Sequence, residues 1–496
     1  MEEPVRSQEL PPSKKIDPAK LEHLSESQRD ELLAVLDQFP DCFSDTPGFC
    51  DYVEHEIHVS NDFKHKRLRA YKVPECLKPE VERQINELLS LGFISPSKNQ
   101  MASPLVCVLK GKDGKDGVRP AVDYRYVNKY TVGDTYPIPD IPDIVQRMGS
   151  AKYISCFDAK GAYWQTKVKP DHQWLTSFLC DQGVFFWKRT PFGMKSSGST
   201  FVRAIQQVLK PLKRFADSYV DDMSVFSDEW HLHLQHVREF LERIRESGLT
   251  LNIKKCSFAQ SEDKFCGQMI GYGTRRADPD KVAAVKNMKV PETKKEVRQI
   301  LGFFSWFRDY IPDFALYAKP LTDLTGKKVS FNVPWSNIHQ EAFERLKELL
   351  CKATMDPLHI IDFSKPFHVH TDGSNYAVGC TLSQPDGDGV ERPIAFASKK
   401  LNETQQRWST IEKESYAVMW ALQKYRQWLF GAEVIVFSDH NPLTYITEAS
   451  PKSAKLMRWA LAIQEFHVKF CYKPGKANTA ADCLSRPSLT VDEDAG

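Results

Sequence analysis

The sequence predicts a chain of several domains that combine α+β and α/β folds. Three observations carry that prediction. At 496 residues, with 41% hydrophobic and 27% charged side chains, the chain can build roughly two to four buried cores. Short alternating apolar runs bounded by turn residues recur in its first half, as strands require. After Lys352 a second pattern of strands and one helix begins, with acids of its own at the element ends.

In order along the chain, residues 1 to about 18 are polar and Pro-rich and are expected to be disordered. Leu21 to Phe39 reads as a helix, with Leu32, Leu33, Val35, Leu36 and Phe39 as its apolar positions. Pro79 to Leu91 reads as another, stopped by Gly92. Leu105 to Lys110 and Arg119 to Tyr124 read as strands joined by the turn K-G-K-D-G-K-D-G. A helix over 200–214, an acidic hairpin, a helix over 230–248 and strands between Leu251 and Ile270 follow. Residues 275 to about 335 look helical and separate. There Thr293 and Glu296 form a capping-box pattern, and Pro312 marks the stop. Val297, Ile300, Leu301, Phe304 and Phe307 make the apolar stripe. Gly302 sits mid-helix at a cost of ~1 kcal/mol against Ala, and shares a second face with Arg298 and Trp306. Asn337 to Lys352 is a further amphipathic helix.

The acids carry the chemistry. D-S-Y-V-D-D-M-S-V-F-S (Asp217 to Ser227) sets Asp221 and Asp222 inside an apolar alternation. Successive strand residues face opposite ways, so both acids reach one site only at a hairpin turn. Burying them is costly without a cation, which leaves two alternatives, a Mg²⁺-binding turn and a solvated acidic turn. Asp158 ends another alternation, Y-I-S-C-F-D. Phosphoryl transfer by two metals needs carboxylates from separate strands converging on ions ~3.5–4 Å apart.

A second set lies further on. F-H-V-H-T-D-G-S is a strand ending in Asp372, and V-I-V-F-S-D-H a strand ending in Asp439. K-P-G-K-A-N-T-A-A-D-C-L-S-R places Asp482 at a helix start. In the helix E-K-E-S-Y-A-V-M-W-A-L, Glu414 is followed by Ala417, Val418 and Ala421, a small apolar face able to approach a sheet. Glu412 faces Ser415, Tyr416 and Met419, so Glu414 is the expected fourth acid.

One Asp followed by a Tyr-Val-Asp-Asp turn resembles reverse transcriptases. V-R-P-A-V-D-Y-R-Y-V-N (Val118 to Asn128), F-F-W-K-R-T-P-F-G-M-K (Phe185 to Lys195) and S-G-L-T-L-N-I-K-K-C-S-F (Ser247 to Phe258) resemble gypsy-type long-terminal-repeat retrotransposon polymerases. So do A-D-P-D-K-V (Ala277 to Val282) and I-P-D-F-A-L-Y-A-K-P-L-T-D-L-T (Ile311 to Thr325). The second acid set resembles the ribonuclease H domain of the same elements. The resemblance runs from about Phe39 to Arg486. It implies a right-hand polymerase of fingers, palm and thumb, followed by a ribonuclease H-like α/β domain. The implied division is an N-terminal extension, partly disordered, over 1–38, fingers and palm over 39–274, and thumb over 275–335. The nuclease would occupy 336–486 and a tail 487–496.

The implied activity is RNA-directed DNA synthesis coupled to cleavage of RNA in RNA–DNA hybrids. Asp158, Asp221 and Asp222 would hold two Mg²⁺ ions, and Asp372, Glu414, Asp439 and Asp482 two more, with Mn²⁺ as a substitute. Arg119 and Lys112 would grip the triphosphate, with Lys110 competing for the role of Lys112 because this turn is longer than the family's. Tyr163 would block a 2′-hydroxyl, Phe192 would lie near the templating pair, and Phe265 to Ile270 would grip the primer end. Arg298, Gly302 and Trp306 match the family's minor-groove track. Partners would be an RNA template, a DNA primer, the hybrid and dNTPs. A homodimer is allowed, and protease and integrase would be encoded elsewhere in a larger polyprotein. One departure stands out: Tyr472 and Lys473 precede Pro474-Gly475 where cellular ribonucleases H carry a His, so a His-assisted proton step is not expected.

Bulk properties narrow the setting. Net charge is only +2, so nucleic acid must be met by local patches such as Lys64 to Lys72, Lys110 to Lys115 and Lys210 to Arg214. Twelve scattered cysteines without a C-x-x-C pair indicate reduced thiols, in a cytoplasmic virus-like particle or the nucleus. The polar start is no signal peptide, and no run of 18 apolar residues exists, so neither secretion nor a membrane span is expected. His231, His233 and His236 read as a surface helix, since 231 and 233 face apart. Ser44 to Gly48 lacks the Asp-Thr/Ser-Gly of an aspartic protease, and nothing resembles an integrase finger. Two rivals remain: an inactive or co-opted copy that only binds nucleic acid, and a polymerase of DNA templates. The seven acids in place argue against the first.

Overall fold

Two segments, residues 1–266 and 267–496, fold as separate units in the computed structural model, which describes residues 10–66, 68–109, 118–438 and 454–472. Residues 1–9 lie outside the described residues. The chain from Leu10 onward does not fit the expected disorder. Pro12–Lys15 makes one helical turn and Pro18–Leu21 a 3-10 turn. Ile16, Leu21 and Leu24 are buried in the same cluster as Phe157, Met223 and Phe240. Apolar residues between the prolines have a core to pack on, which a compositional count does not register. Helix α1 (Glu26–Leu36) is shorter than expected because Ser25 starts it. The Ser25 hydroxyl accepts from Gln28 N–H, and the Gln28 side chain accepts from Ser25 N–H.

The first unit continues with α2 (Lys78–Ser90), β1 (Ile94–Pro96), β2 (Ser103–Leu109), β3 (Val118–Val122), β4 (Tyr153–Asp158), β5 (Phe178–Cys180) and β6 (Gly183–Trp187). It goes on through α3 (Ser197–Leu209), β7 (Ala216–Tyr219), β8 (Asp222–Ser227), α4 (Trp230–Ser247) and β9 (Ser257–Gln260) to a last short strand, Glu262–Phe265. Pro211 removes a backbone donor, so α3 stops earlier than the expected 214 and passes into a 3-10 turn. One sheet has the order β1-β6-β5-β2-β3 and packs on Val81 and Ile85 of α2. The other has the order β9-β4-β8-β7. Its Phe157, Met223 and Val225 meet the apolar stripe Val237, Phe240, Leu241 and Ile244 of α4, with Phe240 stacked on Phe157 at 4.6 Å. Burying such a ring contributes ~1.5–3 kcal/mol. Gly248 closes α4 at φ +72, where a Cβ would stand 2.2 Å from Phe49 O, so only glycine fits.

The second unit opens with β10 (Gln268–Gly271), β11 (Thr274–Ala277), α5 (Pro279–Lys286), α6 (Lys294–Trp306), α7 (Phe314–Asp323), α8 (Asn337–Lys352) and β12 (Leu358–His359). Thr293 and Glu296 form the expected reciprocal cap of α6. Val297, Phe304 and Phe307 are buried with Ala277, Phe343, Leu346 and Leu350. The second unit begins at Gly267. Helix α8 packs with α5, α6 and α7 rather than with the sheet beyond 336. An amphipathic stripe shows that a helix has a core-facing side, not which core it faces.

That sheet comprises β13 (Phe367–Gly373), β14 (Ala377–Pro385), β15 (Glu391–Lys400), β16 (Glu433–Ser438) and β17 (His467–Tyr472), with helices α9 (Thr410–Lys424) and α10 (Ala454–Ile463). Its order is β15-β14-β13-β16-β17, with β13, β16 and β17 parallel. Val369, Leu382 and Val436 meet Val418, Ala421 and Leu422 of α9. Among the described residues, no helix is long and apolar enough to cross a membrane.

Candidate active sites

Strands β4 and β8 run antiparallel with Asp158 opposite Asp222, so both carboxylates project from one face. Tyr219 pairs with Asp222, which leaves Val220-Asp221 as a two-residue loop. Val220 takes φ +57 at a loop position where glycine is usual. A β-branched residue there stores ~1–3 kcal/mol, strain that clusters at functional sites. Asp221 and Asp222 are exposed, because the turn carries them out of the sheet. Asp158 is 16% exposed and its Oδ1 lies 3.1 Å from Lys255 Nζ. The sequence passed over Lys255, whose only signal was its place in L-N-I-K-K-C.

The donor set suits a hard divalent cation, because all three groups offer carboxylate oxygens. Among the described residues no three acid, His or Cys side chains already converge on one point. Asp158 is instead turned to Lys255, and mutually repelling carboxylates gather only around a cation.

Three of the expected nucleotide contacts form a line beside this turn. The Arg119 guanidinium lies 5.9 Å from the Phe192 ring centre, and Phe192 lies 5.0 Å from Tyr163. Burial, and then the charge of Asp221, raise the Tyr163 phenol above its ordinary pKa. Tyr163 also packs 5.9 Å from Phe201 of the core, so it serves both places. Lys110 and Lys112 lie outside the described residues.

Beneath the same sheet, His233 overturns the surface-helix expectation. It is fully buried. Ser155 Oγ accepts from Ala259 N–H and lies 2.8 Å from His233 Nε2, while Ser227 Oγ lies 3.0 Å from His233 Nδ1 and 2.8 Å from His236 Nδ1. These partners fit a neutral ring with its proton on Nδ1. Burial pushes its pKa down to about 3. His233 and His236 tie α4 to the acid-bearing strands, while His231 faces the other way, exposed, and lies 3.4 Å from Glu229.

In the second unit Asp372 stands at the end of β13, and Gly373 N–H donates to Glu414 Oε1 at 3.2 Å. Glu414 is 2% exposed. A Cβ on Gly373 would stand 3.1 Å from Glu414 Oε1 and 3.2 Å from the Lys413 carbonyl carbon, so glycine allows α9 this close to the strand. Glu412 is used otherwise, accepting from Ser409 N–H and pairing with Lys455 at 2.9 Å. Asp439 and Asp482, and the loop after Tyr472, lie outside the described residues.

On α6, Arg298, Gly302 and Trp306 share an exposed face. Trp306 is 50% exposed. Nothing stands within 4 Å of a Cβ at Gly302, so this glycine is not required by helix packing.

Residues 109–270 match the family described as "Reverse transcriptase (RNA-dependent DNA polymerase)", and residues 362–466 match "RNase H-like domain found in reverse transcriptase". The chain is 37% identical over 433 residues to the retrovirus-related Pol polyprotein from transposon opus of Drosophila melanogaster, covering 84% of this chain and 43% of that protein. It is 33% identical to the Pol polyprotein from transposon gypsy of the same organism, covering 85% and 42%. The Transposon Tf2-3 polyprotein of Schizosaccharomyces pombe is 30% identical, covering 93% and 35%. The chain thus spans less than half the length of these relatives. In fold it is similar to the foamy viral protease-reverse transcriptase solved with dsDNA, at TM-score 0.83, 23% identity and coverage of 95% and 99%. The same viral protein solved with RNA/DNA hybrid gives TM-score 0.79 and 22% identity, covering 100% of this chain and 67% of that one. A reverse transcriptase domain, then an RNase H-like domain, and relatives along most of the chain place it in the family of retrovirus-related transposon Pol polyproteins.

Proposed function

We propose that this chain copies RNA into DNA and cleaves the RNA strand of the resulting hybrid. The observation that carries this is the pairing of Asp158 with Asp222 beside the strained Val220-Asp221 loop. In this reading the primer 3′ hydroxyl attacks the α-phosphate of a dNTP and pyrophosphate leaves. Asp158 and Asp221, assisted by Asp222, hold two Mg²⁺ ions, with Mn²⁺ as a substitute; bound there, the ions supply charge neutralisation and activate the hydroxyl. Arg119, with Lys112, orients the triphosphate. Tyr163 excludes a 2′-hydroxyl, and Phe192 lies against the templating pair. Arg298, Gly302 and Trp306 track the duplex. Asp372 and Glu414, with Asp439 and Asp482, form the nuclease centre on two further Mg²⁺ ions. That the viral proteins of like fold were solved with dsDNA and RNA/DNA hybrid supports an RNA template, a DNA primer and the hybrid as partners.

The test is primer extension on poly(rA)/oligo(dT) with Mg²⁺, together with cleavage of a labelled hybrid. Asp221→Asn should lower extension about a hundredfold or more and leave cleavage intact. Glu414→Gln should do the reverse. Loss of both activities in either variant, with the fold preserved, would refute two separate sites. Tight binding by a wild-type chain that neither extends nor cleaves would favour a binding-only role.

A further inference from the structure

The segment before α1 reaches the polymerase site. Lys20 Nζ donates to Lys254 O at 2.6 Å and to Cys256 O at 2.7 Å. These two carbonyls flank Lys255, whose ammonium stands 3.1 Å from Asp158 Oδ1. Three residues on, His23 Nε2 lies 3.1 Å from Phe258 O and 3.2 Å from Ala259 O. Ala259 takes φ +46, and the register of β9 on β4 shifts between Ser257 and Gln260. Such a bulge leaves backbone groups that the neighbouring strand does not take, and the N-terminal segment takes them. Ile16 and Leu21, buried on either side, anchor the segment that carries Lys20. Lys20, Asp158, Asp222 and Lys255 all line one cleft of about 330 Å³.

We propose that Lys20 is a positioning residue for nucleotide addition: by holding both carbonyls beside Lys255, it aims the Lys255 ammonium into the cleft where Asp158 meets the triphosphate. The proposal rests on Asp158 belonging to the polymerase centre. Two neighbouring carbonyls turned the same way repel, and a single ammonium satisfies both with short, charge-assisted bonds. A lysine side chain carries the rotamer freedom of a long, flexible stem. With its backbone root fixed, Lys255 spends that freedom only along the side chain and not in the turn. The N-terminal segment is thereby part of the catalytic apparatus rather than an appendage to it.

The experiment uses the full chain with Lys20→Met, Lys20→Arg, Lys255→Ala, the Lys20→Met/Lys255→Ala double variant and Asp158→Asn. Single-nucleotide incorporation is the readout, thermal unfolding of the first unit is the standard for its folding, and hybrid cleavage is the standard for the second unit. Lys20→Met should lower kcat about tenfold with KM for dNTP within about twofold, since the aim of a transition-state contact is lost rather than ground-state binding. Hybrid cleavage should not change. Lys20→Arg, which keeps two donors, should return kcat to within about twofold of wild type. The double variant should be no slower than Lys255→Ala alone, because the two residues act through one group. Wild-type kcat in Lys20→Met, or effects that multiply in the double variant, would overturn the positioning role. Incorporation by Asp158→Asn at the wild-type rate would instead overturn the site assignment on which the proposal rests.

Discussion

Gly302→Ala separates the two reasons a glycine can sit in the middle of α6. The residue lies nine positions into a helix that runs from Lys294 to Trp306. A methyl group there would touch nothing within 4 Å. No contact inside the protein is gained or lost, so the stability change is the difference in helix propensity, ~0.8–1.0 kcal/mol in favour of Ala. In a unit of this size, residues 267–496, that raises Tm by about 2–4 °C. The same methyl group stands between Arg298 and Trp306 on the exposed face assigned to the duplex. Keeping a backbone from close approach should cost ~1–2 kcal/mol of duplex binding, on the order of tenfold in retention time. Differential scanning calorimetry reads the first effect. Extension in the presence of a heparin trap reads the second, as shorter products from one binding event. A lower Tm would show that Gly302 serves packing. A higher Tm with products of unchanged length would remove this face from the duplex track.

Three further outcomes follow from the geometry. Tyr163→Ala should admit ribonucleotides, raising the ratio of rNTP to dNTP incorporation about tenfold or more, and unchanged sugar selectivity in competition assays would remove Tyr163 from that role. Gly373→Ala should press on Glu414 Oε1, at 3.1 Å, and lower hybrid cleavage while primer extension and the thermal unfolding of the second unit stay at wild type; loss of that unfolding transition would point to unfolding. His233 is depressed to about 3 from an ordinary value of 6.5, so its stabilisation is complete above pH 6.5 and declines as pH falls toward 3. At about 1.4 kcal/mol per pH unit, wild type should lose ~2 kcal/mol between pH 6.5 and pH 5 that His233→Asn does not lose, measured by urea unfolding. Equal pH slopes would mean that His233 is accessible to protons in the folded state.

Much of this chain is legible from local rules. Caps are set by residues three positions apart, so Thr293 and Glu296 announced the start of α6. Strand alternation ending in an acid is equally local, and it located Asp158 and Asp372 at strand ends. The choice of Glu414 over Glu412 followed from the small face beside it, and Glu414 is the acid that accepts from Gly373. His233 lies at helical spacing from Val237, Phe240 and Ile244, a local signal of burial that its spacing to His231 alone does not show, while its partner Ser155 lies on a strand remote in sequence. The stripe of α8 was readable, but its partners, Phe304 and Ala277, were not.

The sequence by itself determined the periodicities, the caps and which acids stand at strand ends, because those depend on residues within a few positions of one another. Tertiary structure alone decided that Asp158 pairs with Asp222, that a Cβ at Gly302 meets only open space, and that Lys20 grips the carbonyls beside Lys255. Those are contacts or gaps between segments whose meeting no local rule encodes. Register and packing bring Lys20 and Lys255 together across more than two hundred residues of chain.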